Sequence, residues 1–147
     1  MPRPANQTLK FKRLSPQAVP PTYATEGAAC FDLTAIARSV SGNTATYSTG
    51  LAFEIPTGHV LLVYSRSGHG FKSDMRLANC VGVVDSDYTG EVMVKLTHDS
   101  GDAPDWPWVG DRVAQAMLVK LPSVTLEEVE ELHSTKRGAN GFGSTGR

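Results

Sequence analysis

The chain has 147 residues, enough for one domain with a usable core. Fourteen Lys and Arg against fifteen Asp and Glu leave a net charge of −1, which excludes nucleic-acid binding driven by charge alone. Two cysteines, Cys30 and Cys80, make neither a secreted disulfide framework nor a zinc ligand set, and no apolar run approaches membrane length; the expectation is a soluble cytoplasmic protein without direct nucleic-acid or membrane contact.

In chain order, apolar residues recur mostly with period two or in short runs, which predicts strands at residues 8–13, 30–35, 50–55, 59–65, 77–84, 91–97 and 112–120. Turn-forming groups punctuate them: Ser41-Gly42-Asn43, Pro56-Thr57-Gly58, Asp85-Ser86-Asp87 and Ser100-Gly101-Asp102. Residues 65–72 suit a single helical turn after a strand. The segment 105–109, with Trp106 and Trp108, reads as a loop whose tryptophans cover part of the core. Residues 126–132 carry good helix formers with apolar spacing of three, yet a β context allows a final strand. The expected class is all-β.

Several segments carry chemistry. Residues 82–94 read as strand, polar turn, strand: a β-hairpin with Asp85 and Tyr88 in its turn. Asp85, Asp87 and Gly90 fit the start of a calcium loop, but position twelve is Leu96 and no helices flank it. The alternatives left are a plain turn and a rigidly held carboxylate able to act as a general base, with Tyr88 packing on a ring-shaped ligand. Arg66-Ser67-Gly68 combines charge, a hydroxyl and close backbone approach, which suits a phosphate or an ordinary turn. Asp32 and Gln115 are polar insertions in apolar runs, and each needs a partner, from protein or from ligand. Four histidines are scattered, without a cluster. The final residues match G-x-G-x-x-G at Gly141, Gly143 and Gly146, and a P-loop with Ser144 in place of lysine. Both patterns need a following helix, for which no residues remain in this sequence.

Together these segments resemble the five motifs of the trimeric dUTPase family. Ala29-Cys30-Phe31-Asp32-Leu33 resembles the first, Arg66-Ser67-Gly68 the second, and residues 82–91 from Gly82 to Glu91 the third. Residues 110–115, with Arg112 and Gln115, are similar to the fourth, and residues 137–146 to the fifth. The resemblance implies a jelly-roll-like distorted β-barrel subunit over residues 1–136, with a flexible C-terminal arm over 137–147 that closes over the active site of a homotrimer. It implies magnesium-assisted hydrolysis of dUTP to dUMP and pyrophosphate, which limits uracil in DNA and supplies dUMP for thymidylate synthesis. By resemblance, Asp85 activates the attacking water and Tyr88 packs on the deoxyribose. Backbone groups of Asn79, Gly82, Val83, Val84 and Met93 line the uracil pocket. Arg66, Ser67, Gly68 and Gln115 hold the phosphates, and Asp32 meets Mg2+ through water. From the arm, Arg137, Gly143, Ser144 and Thr145 bind the γ-phosphate and Phe142 covers the base. Departures from the family pattern are His69 for leucine, Ser65 for proline and Asn140 for glycine. The resemblance favours a strand at residues 126–132. Rival readings are a dCTP deaminase of the same fold and a nucleotide-gated regulatory protein.

Overall fold

The computed structural model describes residues 7–99 and 105–142. Ten strands and one short helix follow in order: β1 (Lys10–Arg13), β2 (Phe31–Thr34), β3 (Ala37–Ser41), β4 (Thr44–Ser48), β5 (Leu51–Glu54), β6 (His59–Tyr64), α1 (Ser67–Ser73), β7 (Met75–Leu77), β8 (Val81–Val84), β9 (Met93–His98) and β10 (Arg112–Lys120). They pair as a ribbon β1-β5, a sheet β2-β10-β6-β8 and a second sheet β3-β4-β9-β7, and every pairing among them is antiparallel.

Both sheets turn one face to a single core. The alternation is plain in β2, where Phe31 and Leu33 are buried, in β4, where Ala45 and Tyr47 are, and in β9, where Val94, Leu96 and His98 are. Leu61, Val63, Ala114 and Ala116 of the first sheet join Tyr47, Leu77, Val94 and Leu96 of the second in one cluster. Tyr47 is wholly buried and its hydroxyl donates to the Pro107 carbonyl at 3.0 Å. Burial, offset in part by Arg38, pushes its phenol up to about 12. The α1 helix buries no residue and serves as a surface connection between β6 and β7.

Seven predicted strands are present, with changes. The stretch 77–84 is two strands, because Cys80 takes φ 64° and breaks the run between β7 and β8. Gly42 and Asn43 close a hairpin whose arms, β3 and β4, the sequence reading missed. Their signal was there: Thr44-Ala45-Thr46-Tyr47 alternates with β-branched and aromatic residues. Of the two tryptophans, Trp106 is buried, whereas Trp108 is exposed and lies under the Arg38 guanidinium at 3.9 Å from its ring centre. Residues 126–132 form neither the helix their propensity suggests nor the strand the resemblance favours; Leu126 and Leu132 are exposed, without apolar cover among the described residues. The predicted turn at 100–102 lies outside the described residues.

Candidate active site

The segment 82–94 is not a paired hairpin. Its first arm, β8, bonds only to β6 at the edge of one sheet, and its second arm, β9, bonds to β4 and β7 in the other. The turn therefore crosses from sheet to sheet, and the arms part instead of zipping. Between them opens a cleft of about 370 Å³. Asn79, Gly82, Val83, Val84, Asp85, Tyr88 and Met93 line it, so seven predicted site residues meet in one cavity. Val63, Leu77, Glu91, Val92, Val94 and Lys95 complete the lining. Of these, only Glu91 sat in a quoted motif; Val63, Leu77, Val94 and Lys95 are strand residues and Val92 immediately precedes β9, and their sequence shows nothing beyond core or surface patterning.

Parting the strands leaves hydrogen-bonding capacity in the walls. As the edge of its sheet, β8 bonds, among the described residues, to a strand on one side only. The β7–β9 ladder runs from Met75–His98 to Leu77–Leu96, extended by the Ala78 N–H donating to Lys95 O at 2.9 Å. Among the described residues no strand continues along that side of Val94 and Met93. A flat ligand with donors and acceptors on its edge can pair with such backbone as a further strand would.

Asp85 and Tyr88 stand at the crossover, both exposed. The turn fixes their spacing, because the Tyr88 N–H donates to the Asp85 carbonyl at 3.2 Å. The Tyr88 hydroxyl donates to the Glu91 carbonyl at 2.8 Å.

A second constellation sits where β6 ends. Arg66 Nε donates to Asp32 Oδ1 at 3.0 Å, and Arg112 Nη1 to Asp32 Oδ2 at 3.2 Å. Asp32, only 12% exposed in its side chain, is thus clamped between guanidiniums from two elements. This explains a charged residue in the apolar run of β2: two cations offset its desolvation. Arg112 was quoted within the fourth motif but not singled out. Its carbonyl accepts from His69 Nε2 at 2.9 Å, so His69 carries its proton there. Gln115 Nε2 donates to the Ser65 carbonyl at 2.9 Å, and the Ser65 hydroxyl accepts the Leu77 N–H at 2.9 Å, a contact that proline could not make. Arg66, Ser67 and Gln115 line one open depression with Phe71 and Arg76. Gly68 follows in the first turn of α1.

These two constellations lie at opposite ends of the same strand pair. Val84 pairs with Leu61 near the start of β6, and Val81 with Tyr64 at its end. At about 3.4 Å per residue, the strands hold Asp85 and Arg66 on the order of 15–20 Å apart. The described part of the arm reaches neither. Arg137 Nε donates to the Asn140 carbonyl at 2.8 Å in a local turn, and Phe142 is fully exposed. Gly143, Ser144 and Thr145 lie outside the described residues.

Among the described residues, no three His, Cys, Asp or Glu groups gather as a metal cage. Asp32 offers a carboxylate whose oxygens each accept one arginine bond, leaving lone pairs for a metal-bound water. That donor set fits a cation held chiefly by its ligand's phosphates. No helix among the described residues is long and apolar enough to cross a membrane.

A sequence profile of the dUTPase family matches residues 17–146. The chain belongs to the dUTPase family. It is 42% identical over 141 residues to the deoxyuridine 5'-triphosphate nucleotidohydrolase of Nautilia profundicola, covering 95% of this chain and 99% of that one. The corresponding protein of Caulobacter vibrioides is 41% identical over 151 residues, with 97% of each chain covered. Among solved structures, a variant dUTPase of Staphylococcus bacteriophage 80alpha with dUpNHpp superposes with a TM-score of 0.83 at 26% identity, covering 97% of this chain and all of the other.

Proposed function

We propose that the cleft between β8 and β9 takes the uracil of dUTP, and that Asp85 at its mouth activates the water that attacks the α-phosphorus. The observation that carries this reading is the cleft itself, where Asp85, Tyr88 and the predicted base-pocket residues meet. The reaction is hydrolysis of dUTP to dUMP and pyrophosphate, the activity for which the relatives are named. Water adds its oxygen to the α-phosphorus, and its proton passes to the Asp85 carboxylate. The bond from the α-phosphorus to the α,β-bridging oxygen breaks, and pyrophosphate leaves. A positioned base of this kind is worth about 10²–10⁴-fold in rate.

Base choice follows from the walls. Backbone groups of Asn79, Val83, Val84 and Met93 pair with the uracil edge. Cytosine places an amine where uracil has a carbonyl, which leaves buried partners unpaired. The methyl of thymine clashes with the wall. Tyr88 packs on the deoxyribose and leaves no room for a 2′-hydroxyl.

Phosphate binding falls to Arg66, Ser67, Gly68 and Gln115, which one chain places far from its own Asp85. That separation supports a homotrimer of jelly-roll-like subunits whose sites form at subunit contacts, the phosphate end of one chain meeting the cleft of another. The exposed segment 121–136 supports the same reading, since Leu126 and Leu132 have no apolar cover in their own chain. The arm, residues 137–147, closes over the bound nucleotide. Arg137, Gly143, Ser144 and Thr145 meet the γ-phosphate and Phe142 lies over the base. Magnesium, when bound to the triphosphate, neutralises charge on the phosphate oxygens. Asp32 would meet that ion through a bound water, while Arg66 and Arg112 hold its carboxylate in place.

The test is pyrophosphate release from dUTP, dCTP, dTTP and UTP with magnesium. Turnover of dUTP alone is expected. Ammonia release from dCTP would overturn the reading in favour of a deaminase.

A further inference from the structure

The crossover is bolted at three points to the turn before β5 and to the first residue of that strand. The Gly50 N–H donates to Glu91 Oε1 at 2.8 Å. The Val92 N–H donates to the Leu51 carbonyl at 2.8 Å, and the buried Thr49 hydroxyl to the Val92 carbonyl at 2.6 Å. The receiving turn is itself tightly packed. Gly50 has φ 67°, and a Cβ there would lie 2.6 Å from Ile36 Cδ1 and 2.9 Å from Ala18 Cβ. One oxygen of the Glu91 carboxylate is therefore engaged with the scaffold, even though the residue lines the cleft.

Glu91 also holds Tyr88. Its carbonyl accepts the phenol hydroxyl at 2.8 Å. The ring lies directly over Gly90, where a Cβ would sit 2.6 Å from the hydroxyl oxygen, 2.8 Å from Cζ and 3.1 Å from Cε2. A side chain at residue 90 and the present ring position exclude each other.

We propose that Glu91 and Gly90 are positioning residues for sugar selection. Contacts run from the Gly50 amide through the Glu91 carboxylate and carbonyl to the Tyr88 hydroxyl, and they fix where the ring stands. A ring that rejects a 2′-hydroxyl by volume works only while it cannot swing aside, so the selectivity of Tyr88 resides partly in residues that never meet the sugar. This inference rests on the proposed packing of Tyr88 against the deoxyribose.

The experiment compares kcat/KM for dUTP and for UTP, with melting temperature, in the full-length wild type and in G90A, E91A, E91Q and Y88F. The dUTP-to-UTP ratio is expected to fall roughly tenfold in G90A and E91A and about threefold in Y88F. E91Q keeps an oxygen for the Gly50 amide and is expected to keep the wild-type ratio. Unchanged ratios in folded, active G90A and E91A overturn the inference alone, as does a loss in E91Q equal to that in E91A. Should G90A fail to fold, E91A against E91Q still decides. A wild type that leaves dUTP intact overturns the underlying reading, and the inference with it.

Discussion

The cleft and the C-terminal segment are opposite ways of presenting functional residues. Around the cleft every wall is tied to a sheet, and Tyr88, Glu91 and Val92 are hydrogen-bonded into the scaffold. Beyond β10, residues 121–140 run exposed, with Leu126 at 94% and Leu132 at 87% exposure. A base pocket that must distinguish uracil from cytosine needs walls fixed before the ligand arrives. A strap that must admit and release a triphosphate needs the reverse. On the proposed reading, recognition is built into the sheets of the chain, while closure is delegated to a segment that those sheets do not hold.

The sharpest way to break this comparison is Asp85→Asn. Turnover of dUTP is expected to fall by about 10²–10⁴-fold while nucleotide affinity is kept, measured by single-turnover kinetics and calorimetry. Undiminished turnover would remove Asp85 as the base. Next is deletion of residues 137–147. The truncated protein is expected to keep its fold and oligomeric state and to lose roughly 10²-fold or more in kcat/KM, read by pyrophosphate release and light scattering. Full activity would mean that the arm is no part of the site.

Alanine in place of Leu61 and of Leu132 separates the two regions by stability. Leu61 is wholly buried, so Leu61→Ala is expected to cost about 2–5 kcal/mol in denaturant unfolding. Leu132→Ala removes no intrachain packing, so any loss of stability it causes must depend on protein concentration, as cover by another subunit requires. A concentration-independent loss would contradict cover by another subunit. Asp32→Asn is expected to cost about 1–3 kcal/mol, the lower part because Arg112 is half-exposed and screened. The smallest effect concerns pH. Tyr47 has its phenol raised to about 12, so its contribution is complete below about pH 10, the ordinary value, and is lost as pH rises toward 12. Tyr47→Phe should flatten that alkaline limb of the melting temperature.

Much of the fold was legible because its strands alternate. Residues 112–120 coincide with β10, where burial changes along the strand as the pattern implies. Three things were hidden for physical reasons. The strand β3 is short and mostly polar, and Arg38 and Val40 signal nothing in isolation. The break at Cys80 needs a positive φ in a non-glycine residue, which no propensity announces. The parting of residues 82–94 into two sheets is decided by β6 and β4, partners remote in sequence. In the site, identity was more legible than geometry. Asp85 and Tyr88 could be singled out from a motif, and Asn79 and Met93 were expected in one pocket from the resemblance, but the distance of that cleft from Arg66 within one chain was not legible. The two arginines on Asp32 come from residues 34 and 80 positions away, a relation carried only by tertiary structure.

Because the walls of the cleft belong to different sheets, its width equals the spacing between them where they separate. That spacing is set by core side chains such as Val63 and Val94, which line the cleft and also belong to the packed interior. Close-packed interiors transmit small volume changes. With the proposed base in this cleft, discrimination becomes a collective mechanical property of the domain, and a methylene gained or lost in its core is expected to retune which pyrimidine fits without any change to a residue that contacts the nucleotide.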